Sequence, residues 1–355
     1  MKITAIGFDL AKNVYQVHGV DEARRPVMRR QLRRSQVLEF FARLEPCLIG
    51  MEACAAAHHW SRELQALGHR VRLIAPQFVK RFVSGNKNDK RDAEAICDCL
   101  LHHSTRFVPV KTLEQQAVLS LHRLREGFVQ SRTALVNRLR ALLAEFGLVV
   151  PKGRRGFEAG LPILLQEGRV PELLRGSLAE AREELARYSQ QIASLELRLR
   201  SWHRQNEASR RLEEVPGVGM LTATAVAASV GSNAKLFDKG RQFAAWLGLT
   251  PREHSSGERR QLFGITKRGD AYLRKLLVHG ARRDSKPPPW SKSVAHRNTR
   301  ATTEERGHGR FGSAQRSCAV GDARKRHVVS AEARLTRLPK EGRTTSLRET
   351  FEVMA

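Results

Sequence analysis

No stretch of the chain carries the roughly 20 consecutive apolar residues that a bilayer-spanning helix requires, so a helical membrane protein is excluded. Met1-Lys2 runs straight into an apolar strand with no signal peptide, and a soluble, cytoplasmic protein without a membrane partner is expected. Cysteine is sparse and poorly spaced for chemistry. Cys47, Cys54, Cys97, Cys99 and Cys318 are odd in number and lack C-x-x-C pairing, which argues against a disulfide framework and against zinc. Cys54, His58 and His59 beside Glu52 imitate a metal cluster, but the remaining ligands of a tetrahedral site are missing. Acidic residues are short too: 36 Asp and Glu stand against 63 Lys and Arg, a formal net charge of +27. Such an excess points to a polyanionic partner, most simply nucleic acid. At 355 residues the chain has room for two domains of ordinary size.

What is present begins with ITAIGFDLAKN (3–13), an apolar run that reads as a central strand with one carboxylate, Asp9, near its end. A desolvated carboxylate costs several kcal/mol, so Asp9 either caps the following turn or faces a cation. VYQVHGV (14–20) and RPVMRRQL (25–32) read as an antiparallel continuation turned at Asp21-Glu22. Ser35 opens a helix, CLIGME (47–52) is a strand, 58–67 is a helix stopped by Gly68, and VRLIAP (71–76) is a strand. Residues 88–103 carry helical spacing after an Asn-Asp start suited to capping. Three strands, helix, strand, helix, strand, helix is the element order of a ribonuclease-H-like mixed sheet, predicting an α/β domain over 1–110.

Residues 111–211 read as an all-α connector. Leu113 to Phe146, closed by Gly147, is expected to be one helix with an exposed Arg-rich face that includes Arg123, Arg125, Arg132, Arg138 and Arg140. A second helix is expected to open at the capping box Ser177-x-x-Glu180 and to carry a near-heptad seam, making a coiled-coil hairpin. Between them PKGRRGFEAGLP (151–162) reads as a mobile loop. A helical C-terminal domain follows over 212–283. Its Pro216-Gly217-Val218-Gly219 turn before an Ala-rich helix looks like a helix-hairpin-helix element, with Gly217 and Gly219 either admitting a phosphate or serving tight packing. Farther on, Ser255-Ser256-Gly257 lies in a polar loop flanked by Arg252, Arg259, Arg260, Lys267 and Arg268, cations suited to phosphate.

Glu52 ends a strand that can neighbour Asp9, and Asp89 and Asp92 are three apart on one helix face. Either these acids are scattered over a basic surface or they converge. Converging carboxylates repel unless a divalent cation joins them, and Mg²⁺ accepts oxygen ligands while keeping positions for phosphate oxygens. Glu94 lies near that face and is expected to neighbour Lys90 or Arg91.

GFDLAKN, MEACAAAHHW, KNDKRDAEAI, VPGVG, GLTPREHSSG and ITKRGDAYLRKLLVHGAR together resemble the DEDD transposases of bridge-RNA-guided insertion sequences, relatives of pilin-gene invertases, over about residues 1–283. The resemblance implies a RuvC-like domain whose Asp9, Glu52, Asp89 and Asp92 hold Mg²⁺. It also implies a serine nucleophile, Ser256 with Ser255 as runner-up, that forms a phosphoserine with DNA. A guide RNA and a tetramer, in which acids of one subunit work with a serine of another, are implied as partners. The rival readings are a RuvC-like nuclease that uses water and a noncatalytic nucleic-acid-binding relic. After Arg283 the resemblance stops at DSKPPPWSKS, and residues 284–355 lack apolar periodicity, so a disordered basic tail is predicted, arising either from a frameshift near codon 284 or as an ordinary tail that binds nucleic acid nonspecifically.

Overall fold

The computed structural model describes residues 2–10, 14–83, 89–231, 237, 239–256 and 259–284, excepting the side chains of Asp89, Lys90, Arg260 and Asp284. The expectations for the tail therefore lie outside the described residues, apart from Asp284. The chain divides into two compact units, Met1–Gln116 and Ala117–Ala355.

In the first unit the elements are β1 (Ala5–Asp9), β2 (Val14–Val20), β3 (Pro26–Arg33), a 3-10 turn (Arg34–Gln36), α1 (Val37–Ala42), β4 (Leu48–Glu52), α2 (Ala57–Ala66), β5 (Arg70–Ile74), α3 (Pro76–Val79), α4 (Asp89–Leu101) and β6 (Phe107–Val108). They form a mixed sheet in the order β3-β2-β1-β4-β5-β6, with β1 parallel to β4 and β4 parallel to β5. Strand alternation sends Ile6, Phe8, Ile49, Met51 and Leu73 to one face, where α1 and α2 contribute Phe41, Trp60 and Leu64. Burying each such side chain contributes about 1.5–3 kcal/mol. Phe8, Tyr15 and Trp60 interlock edge to face, with ring centroids 5.6 and 5.7 Å apart.

The other face carries α4, and two glycines decide how closely it seats. Gly7 and Gly50 are register partners on β1 and β4. A Cβ on Gly7 would lie 2.0 Å from the Ala93 carbonyl oxygen, and one on Gly50 would lie 3.0 Å from the Leu100 side chain. The sheet thus has a shallow trough into which the α4 backbone fits, and Ala95, Ile96, Cys97 and Leu100 fill the rest. Burial pushes the Cys97 thiol up to about 12 and the Cys47 thiol up to about 11, marking both as packing groups.

The second unit holds most of α5 (Leu113–Glu145), then α6 (Arg154–Gln166), α7 (Glu172–Gln205), α8 (Glu207–Glu213), α9 (Met220–Val230), α10 (Gly240–Trp246), β7 (Pro251–Ser256), β8 (Arg259–Ile265) and α11 (Ala271–Asp284). Here the structure corrects several expectations. The segment expected to be a loop is helix α6, because Phe157, Leu161 and Leu164 recur at helical spacing and bury against Leu139, Leu143 and Leu178. Gly153 at φ +85° turns the chain into it. Helix α7 starts at Glu172 after Pro171, so Ser177 is an exposed interior residue rather than a cap. The Arg row of α5 is divided. Arg123 and Arg138 are exposed, whereas Arg125 pairs with Glu196 of α7 at 2.7 Å and Arg132 donates to Ser189 at 3.2 Å. Arg140 is also drawn in, its guanidinium carbon 5.5 Å from the Phe157 ring centroid. Guanidinium stems bury well, so Arg125 and Arg132 bridge α5 to α7, alongside the near-heptad seam expected of the second helix.

The rest of the unit packs around α9, whose residues Thr222–Val230 are all buried. His122 of α5 reaches Thr224 Oγ1 and Tyr272 Oη, each at 3.0 Å, joining α5, α9 and α11. Burial and Arg125 hold this imidazole down at about 4, so it is neutral.

Candidate active site and nucleic-acid interface

Asp9 and Glu52 are the last residues of neighbouring parallel strands. The register pairs Phe8 with Met51, so the two acids stand side by side, on the face that α4 covers. Both are half-buried. Strand pairing alone brings them together, since residues 9 and 52 each lie two beyond the Gly7–Gly50 pair. Across β2 the same row continues with Gln16, the register partner of Asp9, and then with Gln31 of β3.

Asp89 is the first residue of α4 and Asp92 lies on its first turn, with Ala93 over Gly7. The trough therefore brings the acid-bearing end of the helix onto β1. Among the described residues no group of three or more His, Cys, Asp or Glu side chains is placed to hold a metal ion. Asp9, Glu52 and Asp92 are all described and do not form such a group, while the Asp89 side chain lies outside the described residues. Glu94, expected to neighbour Lys90 or Arg91, reaches Arg29 of β3 at 3.4 Å. It also faces His18, whose pKa is lowered chiefly by burial and raised in part by Glu94 and Asp98.

Ser255 and Ser256 are not in an open loop. They end β7 at the tip of an antiparallel hairpin, with Ser256 opposite Arg259 and Ser255 opposite Arg260. Alternation puts Ser256, His254 and Arg259 on one side of the hairpin and Ser255 and Glu253 on the other. Ser255 Oγ donates to Glu253 Oε1 at 2.7 Å. The expected ring of five cations is drawn out along the hairpin. Arg259 and Arg260 flank the serines, Arg252 is near the base, and Lys267 and Arg268 lie past it, roughly 17 Å of strand from the tip. Lys267 takes φ +56° and its N–H donates to the Gly248 carbonyl at 3.0 Å, closing that base.

The helix-hairpin-helix glycines have different settings. Gly217, at φ +83°, meets Gly280 of α11, where an added Cβ would lie 1.9 Å from the Gly217 carbonyl oxygen. Close helix packing accounts for that glycine. Gly219 N-caps α9 and has nothing within 4 Å of an added Cβ, so the backbone there is open to a ligand. Sequence reading passed over Gln16, Glu253 and His254. The period-two alternation from Val14 was the signal for Gln16, and the hairpin register was needed for the other two.

A mixed α/β sheet of this order, with helices on both faces and carboxylates ending adjacent central strands, is consistent with a ribonuclease-H-like DEDD domain. A transposase family model of the DEDD, IS110 type matches residues 6–147, and the model described as "Transposase IS116/IS110/IS902 family" matches residues 209–295. The chain is 52% identical over 287 residues to a probable family 20 transposase of Pseudomonas aeruginosa, covering 79% of this chain and 84% of that relative. It is 42% identical over 283 residues to the transposase for insertion sequence element IS1111A of Coxiella burnetii, covering 79% and 77%. Against the transposase for insertion sequence element IS1328 of Yersinia enterocolitica the identity is 39% over 280 residues, covering 79% and 83%. The chain belongs to the IS110/IS116 family of insertion-sequence transposases. The family match runs to residue 295, past the break expected at Arg283.

Proposed function

We propose that the protein cuts and rejoins DNA as the transposase of its insertion sequence, with divalent metal at the strand-end acids and a hairpin serine as nucleophile. The observation that carries this reading is the β1–β4 register, which sets Asp9 beside Glu52. The donor set is all oxygen and suits a hard divalent cation. Asp9, Glu52, Asp89 and Asp92 would hold Mg²⁺, which when bound supplies positive charge to phosphate oxygens. Ser256 Oγ forms a phosphoester bond as a strand P–O bond breaks, its proton passing through solvent to the departing strand oxygen. The number of phosphoester bonds is unchanged, so no nucleoside triphosphate is consumed. Arg259 and Arg260 balance the charge gathering on that phosphate, while Arg252, Lys267, Arg268 and the open backbone at Gly219 hold flanking phosphates. In this reading a guide RNA selects donor and target by base pairing. A tetramer pairs the acids of one copy with the serine of another.

Donor DNA carrying the element ends, incubated with protein, Mg²⁺ and RNA transcribed from the element's flank, should yield a denaturant-resistant protein–DNA adduct. Ser256→Ala should abolish the adduct, Asp9→Asn should slow it at least a hundredfold, and Ser255→Ala should retain it. Cut ends with no adduct in the wild type would instead indicate water as nucleophile, and binding without any cutting would indicate a relic. The Ser255–Glu253 hydrogen bond favours a second reading, in which Ser255 is the nucleophile and Glu253 its base. Under that reading the two serine variants exchange outcomes.

A further inference from the structure

A cavity of about 690 Å³ opens beside the acid end of the sheet, lined by Val14, Arg33, Arg34, Ser35 and Trp60. We propose that the backbone of the DNA strand being cut lies in this cavity, held by Arg33 and Arg34. The inference rests on the reading that Asp9 and Glu52 face that strand.

Position comes first. Val14 and Arg33 are register partners, and Gln16, two residues along β2, is the partner of Asp9. Two strand residues span about 7 Å, roughly the rise of two nucleotides, so a strand lying across the acids brings its next phosphates here. Charge comes second. Arg29 of the same strand is already paired with Glu94. Arg33 and Arg34 have no carboxylate partner among the described residues. Preorganisation is third. The Arg34 guanidinium carbon sits 5.6 Å from the Trp60 ring centroid, so the ring holds the cation at the wall. Ser35 adds a hydroxyl. Arg33, Arg34 and Ser35 bring donors and no carboxylate to a wall that Val14 and Trp60 make otherwise apolar, and the neighbouring acid pair makes a nucleic-acid phosphate the anion that has reason to be there.

The test uses the full chain and a fluorescein-labelled DNA duplex of arbitrary sequence, followed by anisotropy across salt. Each phosphate contact contributes about 0.9 to the slope of log affinity against log salt. R33Q/R34Q should lower the slope by about 1.8, so that raising salt from about 50 to 200 mM weakens the variant about tenfold less than the wild type. R33K/R34K should restore it. Arg43→Gln removes an exposed cation that already pairs with Glu39 on α1, and should leave the slope unchanged. An unaltered slope in R33Q/R34Q, an equal fall in Arg43→Gln, or a wild type that fails to bind overturns the proposal. Cleavage of element-end DNA by the wild type, with Mg²⁺ and flank RNA, is read alongside. If the wild type cuts while R33Q/R34Q keeps its slope, only the cavity assignment falls. If the wild type binds with its full slope and never cuts, the parent reading falls and takes this one with it.

Discussion

Replacing Gly7 with alanine tests whether the α4 acids depend on the trough. The added Cβ would sit 2.0 Å from the Ala93 carbonyl oxygen and 2.7 Å from the Cys97 nitrogen, both main-chain atoms that cannot rotate away. Relief requires α4 to rise by over an ångström, and a radial gap of 0.5–1 Å already forfeits about a quarter to a half of a dispersion contact. Overpacking usually costs about 1–3 kcal/mol, and backbone against backbone belongs at the top of that range. Gly50→Ala is the matched control, because its Cβ meets only Leu100 side-chain atoms, at 3.0–3.2 Å, and should cost about 1 kcal/mol. Hydrogen exchange on the full chain reads the effect locally. A loss of about 3 kcal/mol raises the opening equilibrium roughly 150-fold in peptides covering β1 and α4, against roughly fivefold for Gly50→Ala. Exchange in Gly7→Ala within fivefold of the wild type, or a larger effect from Gly50→Ala, would refute the account of helix seating.

The remaining predictions concern the second unit and the thiols. His122 has its folded pKa lowered to about 4 from 6.5, so the unfolded chain binds the extra proton between these values and stability falls with falling pH in that window. The loss should approach about 3 kcal/mol by pH 4. Urea unfolding followed by Trp202 and Trp246 fluorescence should show that slope in the wild type and lose it in His122→Gln; a retained slope assigns it elsewhere. Gly280→Ala should destabilise the unit by about 3 kcal/mol by driving a Cβ into Gly217, while Gly219→Ala should leave the melting temperature within about a degree and weaken DNA binding. Equal melting losses in the two would remove the distinction between packing and open glycine. Exposed Cys54 should react with a thiol reagent before Cys47 or Cys97, whose thiols are held up at about 11 and about 12. Labelling of Cys97 first, read by peptide mass spectrometry, would contradict the packing of α4.

The sheet was legible because its strands are apolar runs with turn residues between them, and β2 matches its expected bounds from Val14 to Val20. The adjacency of Asp9 and Glu52 was legible for the same reason, since both end such runs. Helix α6 was hidden by its own Gly, Pro and Arg content, although Phe157, Leu161 and Leu164 carried the period. The inward turn of Arg125 and Arg132 could not be read from spacing, because it depends on Glu196 and Ser189 lying opposite on a helix 71 and 57 residues away. The serine strand looked like a loop because both faces of β7 are polar, which erases the alternation that marks a half-buried strand.

That hairpin has a consequence for control. From Arg252 to Ser256 every residue of β7 is exposed, and a lone two-stranded ribbon in water is marginally stable. A nucleophile carried on such a ribbon is held still only when another surface closes over it. Under the proposed reading, a stray copy of the protein meeting DNA by charge alone would carry its serine unsupported, and chemistry would begin only once the assembly was complete. Restraint of this kind suits an enzyme whose substrate is the genome that encodes it.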